Sequence, residues 1–313
     1  MMNRRRTILK VRQTAWMGLL LLVLNSCGGE VDPNAPTDTL TEGTIHISAD
    51  ESFKPVIDSQ VQVFEASNPA AKIVVHYKPE AECLKDFAVD SIRMVIATRS
   101  FTPAEERFMT DSLKVDPSFM RVAFDAVAAV VHPQSSDTLL KLADIRDLLA
   151  GNSSKKLQPV FDGTRATSTV RFALDSILKG APLGPNITAA QSSAGVIDYV
   201  AKTKNAIGFI GVCWIGNPED STQLSYLDKV RVVQLESPHE PGIYVTPAQY
   251  NIAYGRYPMI RSLYYVLKER HNGLGHGFGY FLTGQRGQLV FKRAYLMPGQ
   301  MAFNVRQTNL RDE

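Results

Sequence analysis

The stretch FDGTRATSTVRFALDSIL, Phe161 to Leu178, sets Arg165, Thr167, Ser168, Thr169 and Arg171 within seven positions, directly ahead of a helical pattern. Two kinds of chemistry use such residues. Serine and threonine cap helix starts by accepting from free backbone N–H groups, and arginines beside them are commonly just solvated. Alternatively, the same N–H groups, the hydroxyls and a guanidinium fork make a seat for a small oxyanion. Two other helix starts look alike: ADESF, Ala49 to Phe53, and QSSAG, Gln191 to Gly195. Taken singly each reads as a cap, and the two arginines favour the anion seat at the second.

Helix starts of this kind need strands behind them. TIHISA (Thr44 to Ala49) alternates like a strand, and the next segment places Val56, Ile57, Val61 and Phe64 at helical spacing. KIVVHY, RMVIAT, RVAFDAVAAVVHP, AIGFIGVCWIG and KVRVVQL read as strands. ECLKDFAVDS, TPAEERFMTDSLK and TLLKLADIRDLLAG read as helices, the last stopping at Gly151. PMIRSLYYVLKERH and RGQLVFKRAYL are read as two closing helices. Strands alternating with helices predict an α/β fold with largely parallel sheets, whose helix N-termini gather at the carboxyl edge where ligands bind.

The N-terminal residues MMNRRRTILKVRQ are basic without an acid, and a ten-residue apolar run, Ala15 to Leu24, follows. That run is too short for a bilayer core, which takes about 20 residues, and its order of segments reads as an export signal. The signal holds Arg4, Arg5, Arg6, Lys10 and Arg12; removing these five from 34 Lys+Arg leaves 29 against 31 Asp+Glu, a net of −2 rather than +3. A polybasic nucleic-acid surface is therefore not supported. Residues 28–43 are polar and turn-rich, as in a flexible tether. Cys83 and Cys213 could form one disulfide in an exported protein, although Cys213 lies in an apolar run that suits a buried thiol.

Enzymatic signatures are missing from the sequence. No serine sits in Gly-x-Ser-x-Gly, and no His-Glu-x-x-His occurs. HNGLGHGFG, His271 to Gly279, sets two histidines among glycines and reads as a flexible surface loop rather than a metal or dinucleotide site. His46 and His76 fall in strand patterns, where packing is the simpler account.

LNSC, Leu24 to Cys27, resembles the lipobox of bacterial lipoproteins, in which the cysteine is lipidated. From about Gly43 to the C-terminus the chain resembles the phosphate-binding proteins of ABC importers, in the form seen in Bacteroidota lipoproteins. These belong to the type 2 periplasmic binding proteins. The segments that carry the likeness are GTIHISADESFKPVI, YKPEAECLKDF, IATRSFTPAEE, FDAVAAVVHP, DIRDLLAG, STVRF, SSAGVIDYVAKTKNAIGFIGV and LTGQRGQLVFKRAYLMPG.

The resemblance implies two lobes, each a mostly parallel sheet flanked by helices, joined by two hinge crossings. Residues 43–122 plus 248–313 would form the first and 123–247 the second, behind a signal over 1–27 and a tether over 28–43. It implies capture of inorganic phosphate, delivery to ABC permease subunits, lipid anchoring at the periplasmic face of the envelope, a monomer, and neither cofactor nor metal. Its binding positions map onto Ser52 and Phe53; Glu82; Thr98 and Arg99; and Thr167, Ser168, Thr169 and Arg171, with Arg165 as the upstream arginine. The family's third position is an aspartate, and Glu82 is expected to replace it as acceptor of the phosphate proton. The alternative is a related lipoprotein with weakened anion capture that works as a sensor or interaction protein.

Overall fold

The computed structural model describes residues 38–112, 114, 116–163 and 167–300. The expected signal, the lipidation site at Cys27, most of the tether and Arg165 lie outside them. Strand β1 (Gly43–Asp50) forms where TIHISA alternates and turns Ile45, Ile47 and Ala49 inward. Helix α1 (Lys54–Ser67) carries proline in its first turn and buries Val56, Ile57 and Phe64. Then come β2 (Ala71–Lys78), α2 (Glu80–Asp86), β3 (Ile92–Ala97) and α3 (Pro103–Asp111), the last opened by a capping box of Thr102 and Glu105.

The long strand β4 (Ser118–Val131) follows, then β5 (Leu139–Leu140) and α4 (Leu142–Ala150). Gly151 ends α4 at φ 79°, a left-handed conformation that a side chain would strain. The chain continues through β6 (Gln158–Phe161), α5 (Ser168–Phe172), β7 (Thr188–Ala189), α6 (Ser193–Lys202) and β8 (Ala206–Gly211). Next are α7 (Ser221–Lys229), β9 (Arg231–Val232), β10 (Gln234–Glu236), β11 (Tyr244–Val245) and α8 (Gln249–Ala253). The last elements are β12 (Ile260–Leu267), α9 (Leu274–Thr283), α10 (Gln285–Arg293) and β13 (Met297–Pro298).

Ten strands make one sheet in the order β2-β1-β3-β12-β4-β8-β6-β7, with β9 and β13 also on β4. Its ends are parallel: β2 and β3 flank β1, and β7 and β8 flank β6. The middle is antiparallel. Ser118–Ala126 of β4 pair with β12, and Val127–Val131 pair with β8, so one strand serves both halves. β10 stands between β11 and β5 in a separate small sheet.

Two expectations are corrected here. Residues 260–267 form a strand, not a helix: β3 and β4 each present a ladder edge, and the β-branched and aromatic side chains fill the gap between them. The Gly-rich segment, expected as a loop, forms α9 with Gly275, Gly277 and Gly279 buried. A methyl on Gly277 would stand 1.8 Å from the Leu40 carbonyl oxygen, so the missing side chain lets residues 38–42 lie against the helix.

That contact shortens the expected tether. Asp38 accepts from Arg93 Nη1 and Nη2 at 3.0 and 2.8 Å and from the Leu274 N–H at 2.6 Å, capping α9 from far away in sequence. Asp38, Glu269 and His271 have the donor types of a metal site. Arg93 bridges both carboxylates. Cys83 and Cys213 are both free and buried. Among the described residues, no helix is long and apolar enough to cross a membrane.

Candidate functional site

Strand β1 ends in Asp50 and Asp162 directly follows β6, and hydroxyl residues come after each. Asp50 Oδ1 accepts from the Ser52 N–H at 3.1 Å and from Ser52 Oγ at 3.0 Å, which fixes the turn before α1. Thr167 caps α5 by accepting from the Val170 N–H at 3.3 Å. The Thr169 hydroxyl donates to Asp162 Oδ1 in a short contact. The two turns meet where Ser52 Oγ and Ser168 Oγ stand 3.0 Å apart. Phe53 is fully buried beside them.

Arg261 reaches this meeting point from the middle of the sheet. Its Nη1 donates to Ser168 Oγ and its Nε to Asp125 Oδ2 of β4, both at 2.8 Å. Its guanidinium carbon lies 4.7 Å from the centre of the Phe53 ring. Asp50 and Asp162 are buried with Arg261 and Asp125, so acids outnumber the arginine there. Burial, and then the nearby Glu80 charge, push the Asp50 carboxyl up to about 7 against the pull of Arg261. Burial likewise raises Asp162 despite the Thr169 and Thr167 hydroxyls, and raises Asp125 despite Arg261. Burial opposes the Arg261 charge, but Asp125 and Asp50 outweigh it and raise its pKa. Three buried atoms of this group, Asp50 Oδ2, Asp125 Oδ1 and Arg261 Nη2, have no hydrogen-bond partner. Buried polar atoms are nearly always paired, so Asp50 Oδ2 and Arg261 Nη2 mark a place for a ligand that is both donor and acceptor.

A second layer joins the halves of the sheet. Glu80, 2% exposed, accepts from the Thr98 N–H at 2.7 Å and its hydroxyl at 2.5 Å, and from Arg171 Nε at 2.5 Å. Arg171 Nη2 also donates to Thr98 Oγ1 at 2.6 Å. Burial works against the Glu80 charge, yet Arg171 and Thr98 together hold its pKa below the usual value. The third helix start is filled by the protein itself: Glu51 accepts from the Ser193 N–H at 3.2 Å and its hydroxyl at 2.8 Å at the head of α6. A cleft of about 340 Å³ adjoins this layer, lined among others by Thr98, Arg99, Arg171, Arg261, Ser262 and Tyr264.

Of the expected residues, Ser52, Phe53, Thr167, Ser168 and Thr169 come together, with Thr98 and Arg171 next to them. Arg99 turns aside: its fork donates to Glu105 at 2.8 and 3.0 Å, although it lines the cleft. Glu82 is exposed in the first turn of α2, and Glu80 takes the buried place two residues earlier. A helix turns about 100° per residue, so a two-residue offset carries a side chain to the opposite face. The sequence reading missed Asp50, Asp162, Asp125 and Arg261. The aspartates ending ISAD and VFD were available as a signal, whereas Arg261 was hidden by reading its strand as a helix.

A family model described as the PBP superfamily domain matches residues 34–286. A search of curated proteins finds no match. Among solved structures, a protein from Clostridium perfringens described as a phosphate ABC transporter substrate-binding protein, with bound phosphate, has TM-score 0.68 at 18% identity. That match covers 82% of this chain and 99% of the other. An ABC-type phosphate transport receptor from Vibrio cholerae has TM-score 0.59 at 17% identity, over 82% and 100% of the two chains. A protein from Planctomyces limnophilus DSM 3776, described as a phosphate binding protein, has TM-score 0.54 at 19% identity, over 82% and 93%. With the family model matching most of its length and the fold shared with these structures, this chain belongs to the PBP superfamily and has the type 2 periplasmic-binding-protein fold.

Proposed function

We propose that the chain is a solute-binding protein for inorganic phosphate, lipid-anchored through Cys27 at the periplasmic face and delivering the ion to an ABC importer as a monomer. The observation that carries this reading is the buried, unpartnered pair of Asp50 Oδ2 and Arg261 Nη2 beside the Ser52 and Ser168 hydroxyls. Monohydrogen phosphate offers Arg261 an oxygen and Asp50 a proton. Sulfate offers no proton, so Asp50 would face its oxygen unpaired. Asp50 thus takes the acceptor role expected of Glu82. The phosphate named for the Clostridium perfringens and Vibrio cholerae structures supports the same class of ligand.

The ion enters from the cleft lined by Arg99, Arg171 and Arg261 and parts the Ser52–Ser168 contact. Residues 43–122 with 248–313 act as one lobe and 123–247 as the other, closing through β4 and the return past residue 248. Commitment of Arg171 to Glu80 and of Arg99 to Glu105 favours a second reading, an envelope sensor with weakened anion capture. Isothermal titration of residues 28–313 with phosphate and with sulfate decides between them. Tight phosphate binding with sulfate silent supports the transport reading. Equal response to both ions, or to neither, refutes it.

A further inference from the structure

Two histidines outside the cleft meet in a way that packing alone does not require. β1 and β2 run parallel in one register from Gly43–Ala71 to Asp50–Lys78, so alternate residues share a face. Ile45, Ile47 and Ala49 turn to one face, which leaves His46 and Ser48 on the other. His76 stands opposite Ser48 and so joins them. His46 Nδ1 and His76 Nε2 are 2.9 Å apart, while the ring centres are 5.2 Å apart and the planes 16° apart. The two nitrogens therefore lie between the centres, and the rings meet edge to edge across one gap. One ring donates into that gap and the other accepts. Both rings are half-buried, so the gap is held by the ladder and still open to solvent. Asp86 of α2 lies over the same face: its Oδ2 accepts from Ser48 Oγ at 2.5 Å and from Lys78 Nζ at 2.7 Å. His76 is among the groups whose charge acts on that carboxyl.

We infer that His46 Nδ1 and His76 Nε2 chelate a transition-metal dication of the zinc class, with water completing its coordination. Neutral imidazole is the commonest protein ligand for such ions. The hydrogen in the gap moves to the outer nitrogen of its own ring, so both rings stay neutral and two lone pairs face the ion. Zinc–nitrogen bonds of about 2.0–2.1 Å at a tetrahedral angle set the nitrogens roughly 3.3–3.4 Å apart, so the rings part by about half an ångström and tilt. Side chains on a half-exposed face make that move without disturbing the ladder behind them. The site is separate from the Asp50–Arg261 group, since His46 precedes Asp50 by four residues, about 13 Å along a strand. Asp38, Glu269 and His271 are the competing donors, but Arg93 stands between those two carboxylates. An ion on His46 and His76 ties the edge strand β2 to β1.

Calorimetric titration of the untagged chain with zinc chloride, in phosphate-free buffer, tests this. We expect a zinc site on the native chain and no response to magnesium chloride, since magnesium prefers oxygen ligands. His46→Gln and His76→Gln should each weaken zinc binding at least about tenfold, and His271→Gln should leave it unchanged. At free zinc about a hundred times Kd, the thermal midpoint of the native chain should rise by roughly 5–10 °C. A native chain that binds no zinc overturns the inference. Zinc binding that survives both β-strand substitutions, or that His271→Gln abolishes, overturns it equally. Should the strand variants fail to fold, nitrogen-15 spectra of the native chain decide: zinc should shift the ring nitrogens of His46 and His76, and shifts confined to His271 and His276 would refute the assignment.

Discussion

Replacing Arg261 by methionine tests the centre of the site most severely. The Arg261–Asp125 pair has side-chain exposures of 3% and 0%, with Nε 2.8 Å from Oδ2. Removing the cation leaves the Asp125 charge buried and unpaired, which costs about 3–5 kcal/mol. At about 2–4 °C per kcal/mol for a domain of this size, the midpoint of thermal unfolding should drop by roughly 6–20 °C. Lys54→Met is the control. Its pair with Asp58 is 45% and 50% exposed, and such pairs contribute about 0–1 kcal/mol. The loss should also depend on pH. Asp125 in the Arg261→Met protein has a folded pKa above its unfolded value, so the folded state holds the extra proton and stability falls as pH rises above about 4. Differential scanning calorimetry at acid and neutral pH reads both effects. A midpoint lowered no further than in the control, or a loss equal at both pH values, would refute the reasoning that Arg261 neutralises a buried acid.

Three further outcomes are expected. Asp50→Asn should weaken phosphate binding at least tenfold and narrow the gap to sulfate, while Glu82→Gln, at an exposed position, should leave both titrations unchanged. Burial opposes the Asp38 charge, but Arg93 and the Leu274 N–H bring its pKa down to about 2. The stability it adds is therefore present above about pH 4 and lost as pH falls toward 2, and Asp38→Asn should flatten acid unfolding curves across that window. Cys83 and Cys213 are buried and their thiols are pushed up by burial, so a thiol reagent should label neither until denaturant unfolds the chain; rapid labelling of the native protein would contradict the packing.

Much of the fold is visible in local pattern. TIHISA alternates, Gly151 ends its helix, and the Thr167 and Ser192 caps stand where hydroxyls precede apolar periodicity. Residues 260–267 were not legible, because Ile260, Leu263 and Val266 are spaced three apart as on a helix face. Only the two distant edges of β3 and β4 select the strand. The site divides the same way. Ser52, Ser168 and Thr169 belong to short motifs that declare themselves. Arg261 and Asp125 acquire their role from pairing across β4 and β12, a contact between residues 136 apart that no local pattern encodes. Glu80 and Glu82 differ only in which face of α2 they occupy.

The capping of α9 by Asp38 has a mechanical consequence. A pull on Asp38 would load Arg93, Leu274 and the glycine face against Leu40, all beside β1, β3 and β12. It reaches Asp162 and Ser168 by way of the β4 ladder and the side-chain contacts of Ser52, Glu80 and Arg261. A load applied at Asp38 therefore enters the sheet on its β1–β3–β12 side and arrives last at the β8–β6–β7 side.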